Sequence, residues 1–222
     1  MTTYSADGTV LKSENGGQNW QPIQIDPTAT FIKIQFIDHL YGKILAFDGY
    51  IASTQDGGAS WQVDSLNYDF RTNDYRWPLN DIYFTSPDTG WLAIGYFFLP
   101  NLDISAESAG ALLKTENGGN YWSIVDSGDT KYSCIFFREN KTGWISIRSV
   151  NSGAKLLFTS NGGRNWDDIY YGVEWQILYF DGANHGFGIS GTYLGKTNDG
   201  GVNWEVQEYM DPPAPESGYK NL

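Results

Sequence analysis

Short apolar or alternating runs recur along the chain, each bounded by Gly, Asp, Asn or Pro. Ile32-Lys33-Ile34-Gln35-Phe36 alternates with period two, and Trp175-Gln176-Ile177-Leu178-Tyr179-Phe180 is a second such run. Alternation of this kind predicts half-buried strands rather than helices. In four places the run ends on a Phe that is followed six residues later by Gly: Phe36 and Gly42, Phe84 and Gly90, Phe137 and Gly143, Phe180 and Gly186. The residues between are rich in Asp, Asn, Pro and Thr, which predicts a turn. Behind the Gly comes a second strand, as in Gly90-Trp91-Leu92-Ala93-Ile94 and Gly143-Trp144-Ile145-Ser146-Ile147. A third strand, such as Ala111-Leu112-Leu113-Lys114-Thr115 or Lys155-Leu156-Leu157-Phe158-Thr159, then runs into a polar phrase whose closing Trp opens a fourth.

That phrase, Ser/Thr-x-Asp/Asn-x-Gly-x-x-Trp, occurs five times. The copies are Ser13, Asn15, Gly17, Trp20; Thr54, Asp56, Gly58, Trp61; Thr115, Asn117, Gly119, Trp122; Thr159, Asn161, Gly163, Trp166; and Thr197, Asp199, Gly201, Trp204. A box recurring at about 40 residues marks a stacked or circular repeat, in which each unit shares its core with its neighbours. Hydroxyl and Asp or Asn side chains cap turn N–H groups, and the glycines permit positive φ, so the box reads as a structural turn between the third and fourth strands. Its Trp is expected between its own blade and the next. Asn in three of the boxes suits a cap better than an acid catalyst or a metal ligand. Four antiparallel strands per repeat predict an all-β protein, a β-propeller of four-stranded antiparallel blades, about five in number. Four are complete; residues 1–30 supply only the last two strands of an N-terminal half blade, since no Phe-x5-Gly precedes the first box. The expected organisation is one propeller domain over 1–208 and a polar, proline-broken tail over 209–222. The half blade is completed by residues outside the chain, by a second chain, or not at all, and its open edge invites strand pairing and self-association.

Composition narrows the partners. Aromatics make up 16% of the chain and Gly 26 residues, as large side chains packed among tight turns require. The net charge of -12 and pI near 4.4 repel a phosphate backbone and an anionic membrane surface, which argues against nucleic acid. The one cysteine, Cys134, lies in an apolar run and is read as a buried core residue. No apolar run reaches membrane-spanning length, and the N-terminal residues lack the basic and apolar regions of a secretory leader, so any leader is expected to lie outside this sequence.

With the boxes and the Phe84-x5-Gly90-Trp91 element in view, followed by Thr115-Glu116-Asn117-Gly118-Gly119 and Trp122, the chain resembles the Asp-box (BNR-repeat) β-propellers. Within them it is most like the Ycf48-type photosystem II assembly-factor family. The resemblance spans roughly residues 9–207 and departs in number, because that family is seven-bladed. It implies a scaffold that binds a protein partner, and exported relatives imply a periplasmic or cell-surface location. Fold alone does not carry function, since Asp boxes also occur in sialidases and other glycosidases.

Topology places the candidate site. In an antiparallel blade the first–second and third–fourth turns share one face of the ring, so the boxes lie together and the remaining connections emerge opposite. The two longest irregular segments, 65–78 and 96–110, are both on that opposite face. The first carries Tyr68, Arg71, Tyr75, Arg76 and Trp77, and the second Tyr96, Phe97 and Phe98, residue types that dominate binding hot spots. These aromatics form either a ligand surface or a plug over the centre of the ring. A sialidase site needs three arginines on this face, but Arg138 and Arg164 fall on the box face, and of the remaining Arg71, Arg76 and Arg148 the first two share one loop; no Arg-Ile-Pro stretch occurs either. His39 and His185 sit in separate turns, too far apart to share a metal. The expectation is therefore a non-catalytic module without cofactor or metal that binds a protein. The alternative is a carbohydrate-binding or glycoside-hydrolysing propeller, with Tyr68, Tyr75 and Trp77 stacking on sugar rings.

Overall fold

The computed structural model describes residues 7–47, 49–66, 71–72, 75–76, 78–97 and 108–208. Among these residues there are strands and no helix, and so no helix long and apolar enough to cross a membrane. A two-stranded hairpin, β1 (Thr9–Lys12) and β2 (Gln21–Gln24), comes first. The first full blade is β3 (Phe31–Phe36), β4 (Gly42–Ala46), β5 (Tyr50–Thr54) and β6 (Gln62–Ser65). A small hairpin, β7 (Arg71–Thr72) with β8 (Tyr75–Arg76), precedes the second blade of β9 (Leu79–Phe84), β10 (Gly90–Phe97), β11 (Ser108–Thr115) and β12 (Ser123–Gly128). The third blade is β13 (Thr130–Phe137), β14 (Gly143–Ser149), β15 (Gly153–Thr159) and β16 (Asp167–Tyr171). The fourth is β17 (Ile177–Phe180), β18 (Gly186–Ser190), β19 (Tyr193–Thr197) and β20 (Glu205–Glu208). Each four-stranded sheet is an antiparallel meander, and together they form a propeller of four complete blades. Strand order within the chain thus follows strand order in space, as short turns demand.

The two recurring motifs meet inside each blade. Register pairs the Phe with the Gly and the Gly with the box Thr in all four: Phe36, Gly42, Thr54; Phe84, Gly90, Thr115; Phe137, Gly143, Thr159; Phe180, Gly186, Thr197. The Phe ring lies across the Gly so closely that a Cβ on Gly90 would stand 2.6 Å from the Phe84 ring, and one on Gly143 2.5 Å from Phe137. Only a residue without a side chain fits there. The box Trp then meets the same Phe edge-on, with centroid separations of 6.1, 6.0, 5.9 and 6.2 Å and interplanar angles of 78, 82, 76 and 80° for Phe36–Trp61, Phe84–Trp122, Phe137–Trp166 and Phe180–Trp204. Edge-to-face geometry of this kind adds about 0.5–1.5 kcal/mol to the burial of the rings.

All five boxes fold alike. Thr159 Oγ1 donates to Asn161 Oδ1 at 3.0 Å and accepts the Gly163 N–H at 2.9 Å, while Asn161 Oδ1 accepts the Asn165 N–H at 3.0 Å. Asp56 and Asp199 take the same part as Asn161, and Ser13 with Asn15 repeats it in the half blade. A carboxylate and an amide oxygen serve equally because the turn needs only an acceptor.

Blades are joined by three apolar clusters. Leu45 and Ile51 of the first blade meet Ile82, Phe84 and Trp122 of the second; Trp91, Ala93 and Leu112 meet Ile135, Phe137 and Ile145; Cys134, Trp144 and Leu156 meet Trp175, Leu178 and Phe180. Full burial of such side chains contributes about 1.5–3 kcal/mol each. In the first three blades the residue after the Gly reaches across to the next box. Lys43 Nζ donates to the Gly118 carbonyl at 2.6 Å, Trp144 Nε1 donates to the Gly200 carbonyl at 2.8 Å, and the Trp91 ring lies against Gly163 and stands edge-on to Trp166. Box tryptophans in the third and fourth blades accordingly face backward, Trp166 to Trp91 and Trp204 to Tyr170, as well as onto their own Phe.

Candidate partner-binding face

Backbone hydrogen bonds establish which connections share a face. Gly57, Gly118, Gly162 and Gly200 of four boxes donate to the carbonyls of Leu40, Asp88, Lys141 and Asn184, each in the first–second turn of its own blade. Boxes and those turns therefore lie together, and Arg138, His39 and His185 lie with them. The other connections emerge at the opposite end, where Gly95 N–H bonds the Pro78 carbonyl and Gly172 N–H that of Ala154.

On this opposite face the strands run further than the sequence pattern indicates. Tyr96 and Phe97 belong to β10, opposite Ala109 and Ser108 of β11, because the pairing continues past the apolar stretch that marks the strand. Residues 65–78 contain the β7–β8 hairpin, whose register sets Arg71 opposite Arg76 and Thr72 opposite Tyr75. Tyr68, Trp77 and Phe98, like the whole 98–107 connection and the tail from 209, lie outside the described residues.

The described polar groups near this end act as fasteners between blades. Glu174, ahead of β17, is ion-paired to Lys131 Nζ at 2.7 Å and to Arg148 Nη1 at 3.7 Å, and accepts a hydrogen bond from Ser133 Oγ. Burial pushes its carboxyl up, but the hydrogen bonds of Lys131 and Ser133 and the two cations outweigh this and hold it below the ordinary glutamate range. Asp81 is buried against Lys33 of the first blade and accepts the Ile135 N–H of the third at 2.8 Å, so one carboxylate ties three blades. Asn80 Nδ2 bridges the carbonyls of Gly95 and Tyr132. Tyr132 donates to Asp126, and its own burial, followed by that hydrogen bond, pushes the phenol upward. Among the described residues no group of three or more His, Cys, Asp or Glu is gathered as a metal site would be. Lys33, Asp81, Lys131 and Glu174 are not marked by any repeat in the sequence; the one available signal was a charge inside an otherwise apolar first strand.

No family model matches the chain. Among curated proteins, the photosystem II assembly lipoprotein Ycf48 of Synechococcus sp. (strain CC9902) is 21% identical over 193 residues, 85% of this chain and 53% of that protein. The photosystem II assembly protein Ycf48 of Thermosynechococcus vestitus is 35% identical over 57 residues, 26% of this chain and 16% of that protein. Among solved structures, YCF48 bound to D1 peptide superposes with a TM-score of 0.59 at 21% identity, covering 84% of this chain and 57% of that one. The chain is Ycf48-like in sequence and fold. YCF48 from Cyanidioschyzon merolae shows the same likeness, with a TM-score of 0.57 at 16% identity over 82% of this chain and 57% of that one. This Ycf48-like chain spans about half the length of the Synechococcus protein it matches.

Proposed function

We propose that this Ycf48-like propeller is a non-catalytic module that binds a segment of another protein, using the face opposite the boxes around residues 65–78 and 96–110. The observation that carries the proposal is the shared fold with a solved YCF48 chain that holds a peptide. Residue chemistry supports the location, because two of the arginines of an otherwise acidic chain stand there among Tyr and Trp, the types that anchor protein interfaces. Affinity capture from a lysate with the native chain and with a variant carrying Arg71→Ala, Arg76→Ala and Trp77→Ala tests this. The variant loses the captured partner while keeping its thermal transition; undiminished capture removes this face, and glycan binding lost with Trp77→Ala replaces the protein partner by a sugar.

A further inference from the structure

Three of the five boxes place Asn directly before Gly, at Asn15-Gly16, Asn117-Gly118 and Asn161-Gly162. An Asn-Gly peptide is prone to deamidate, because the Gly nitrogen lies in reach of the Asn side-chain carbon and no Cβ obstructs its approach. The three share one backbone form, with Gly φ values of 69, 73 and 72°. In each the Asn is exposed and its Oδ1 accepts the N–H four residues on. Local conformation therefore does not separate them.

The Gly nitrogen, which is the attacking atom, does separate them. Gly118 N–H donates to the Asp88 carbonyl at 2.8 Å and Gly162 N–H to the Lys141 carbonyl at 2.9 Å, so each is tied to the first–second turn of its own blade. The turn also crowds these glycines: a Cβ on Gly118 would stand 3.3 Å from the Pro87 carbonyl oxygen, and one on Gly162 2.9 Å from that of Asn140. The Gly16 N–H makes no hydrogen bond among the described residues, Gly16 is exposed, and a Cβ on it would meet nothing within 4 Å. A bonded amide must give up its acceptor and turn before it can attack, whereas a solvated one loses its proton directly to hydroxide.

We propose that Asn15 is the site of spontaneous deamidation in the folded protein, and that the bond from the box Gly to the first–second turn keeps the same peptide intact at Asn117 and Asn161. The Gly16 nitrogen, its proton lost to hydroxide, attacks Asn15 Cγ. A new C–N bond closes a five-membered succinimide as the Cγ–Nδ2 bond breaks, and the side-chain nitrogen leaves as ammonia with a proton taken from water. Water then opens the ring at either carbonyl, leaving an aspartate or an isoaspartate and one added negative charge. Aspartate keeps the box, since Asp56 and Asp199 already hold their turns with a carboxylate. Isoaspartate adds a carbon to the main chain inside the turn, so the bonds from Gly17 N–H to Ser13 Oγ and from Asn19 N–H to the side chain at position 15 are lost. The site is separate from the face opposite the boxes and does not rest on partner binding.

The test incubates the full chain in mildly alkaline buffer, folded and in urea, and follows each Asn-Gly peptide by mass-spectrometric mapping, with an isoaspartate methyltransferase to mark the isoaspartate product. In the folded chain Asn15 is converted at least tenfold faster than Asn117 or Asn161, and in urea the three rates converge. Gly16→Ala slows conversion at Asn15 at least tenfold with the thermal transition unchanged, as attack by the following nitrogen requires and direct hydrolysis of the side chain does not. Rates in the folded chain that are equal, or faster at Asn117 or Asn161, overturn the proposal. So does a difference that persists in urea, which assigns it to neighbouring residues and not to the fold, and so does conversion at Asn15 that Gly16→Ala leaves unchanged.

Discussion

Thr159→Val isolates the work of one box hydroxyl, because valine keeps the shape of a side chain that is 1% exposed and removes only its polar atom. Three hydrogen bonds are lost: the one donated to Asn161 Oδ1, the one accepted from Gly163 N–H, and a longer one accepted at 3.3 Å from the N–H of exposed Asn161, which water replaces. Asn161 Oδ1 keeps the Asn165 N–H, so its loss is that of one ordinary bond, about 0.5–1.5 kcal/mol. Gly163 N–H is left buried with no acceptor in reach of the new side chain, which costs about 1–3 kcal/mol. The expected destabilisation is about 1.5–4.5 kcal/mol, or about 3–18 °C in melting temperature for a chain of this size. Urea unfolding followed by far-ultraviolet circular dichroism reads it as a lower midpoint at unchanged slope. Ser13→Ala is the matched control, since its hydrogen bonds are open to water, which replaces the lost acceptor; its cost is less than half as great. A Thr159→Val midpoint within about 0.5 kcal/mol of the native chain, or an equal cost at Ser13, refutes the view that the box is held by these bonds.

Gly143→Ala places a Cβ 2.5 Å from the Phe137 ring and destabilises by about 1–3 kcal/mol, and adding Phe137→Leu recovers part of the loss; a neutral Gly143→Ala in urea unfolding contradicts the close approach. Asp56 and Asp199 are held below the ordinary aspartate range, Asp56 chiefly by hydrogen bonds from the Ser60 side chain and backbone and Asp199 by those of Asn203. A depressed folded pKa stabilises above the unfolded value near 4 and is lost as the pH falls through the folded one, so replacing both with Asn flattens the decline of stability below about pH 4. If that decline is unchanged in thermal melts from pH 5 to 2, the two carboxylates are not its source. The Cys134 thiol, buried and donating to the Trp175 carbonyl at 3.2 Å, is pushed upward by burial and reacts with a disulfide reagent only at the rate of unfolding; fast native-state labelling contradicts this.

Blade count and strand order were legible because each rests on local chemistry that repeats. Phe-x5-Gly and the box are contacts made within one blade, so their residues recur wherever a blade does. Contacts between blades are less regular, and the column after the Gly shows why. Lys43, Trp91 and Trp144 all reach the next box, the first by an ammonium and the others by an indole, so the position is shared but the residue type is not. Asp81 and Glu174 are harder still, since each gains its partners from other blades. The added length of β10 and β11 rests on backbone pairing beyond the apolar run, which hydropathy does not report. Residues 65–78 and 96–110 of the proposed face are likewise outside the repeat, so its packing does not dictate their types.

The same column yields a test of the stacking argument. Phe187 follows Gly186 as Trp144 follows Gly143, yet Trp144 is 0% exposed and stacked on Phe180 at 3.8 Å, while Phe187 is 43% exposed on the face of the fourth blade turned away from the third. Ile177, Tyr179, Ile189 and Leu194 share that face and are exposed with it. If position in the repeat governed stability, truncating either residue would cost the same. If burial against a following blade governs it, Trp144→Ala costs about 3–5 kcal/mol, and Phe187→Ala about 1 kcal/mol or less. Paired urea titrations at several protein concentrations decide between them. Equal losses at every protein concentration refute the stacking argument in favour of position in the repeat, whereas a Phe187→Ala loss that grows with protein concentration means that another chain covers the fourth blade in solution.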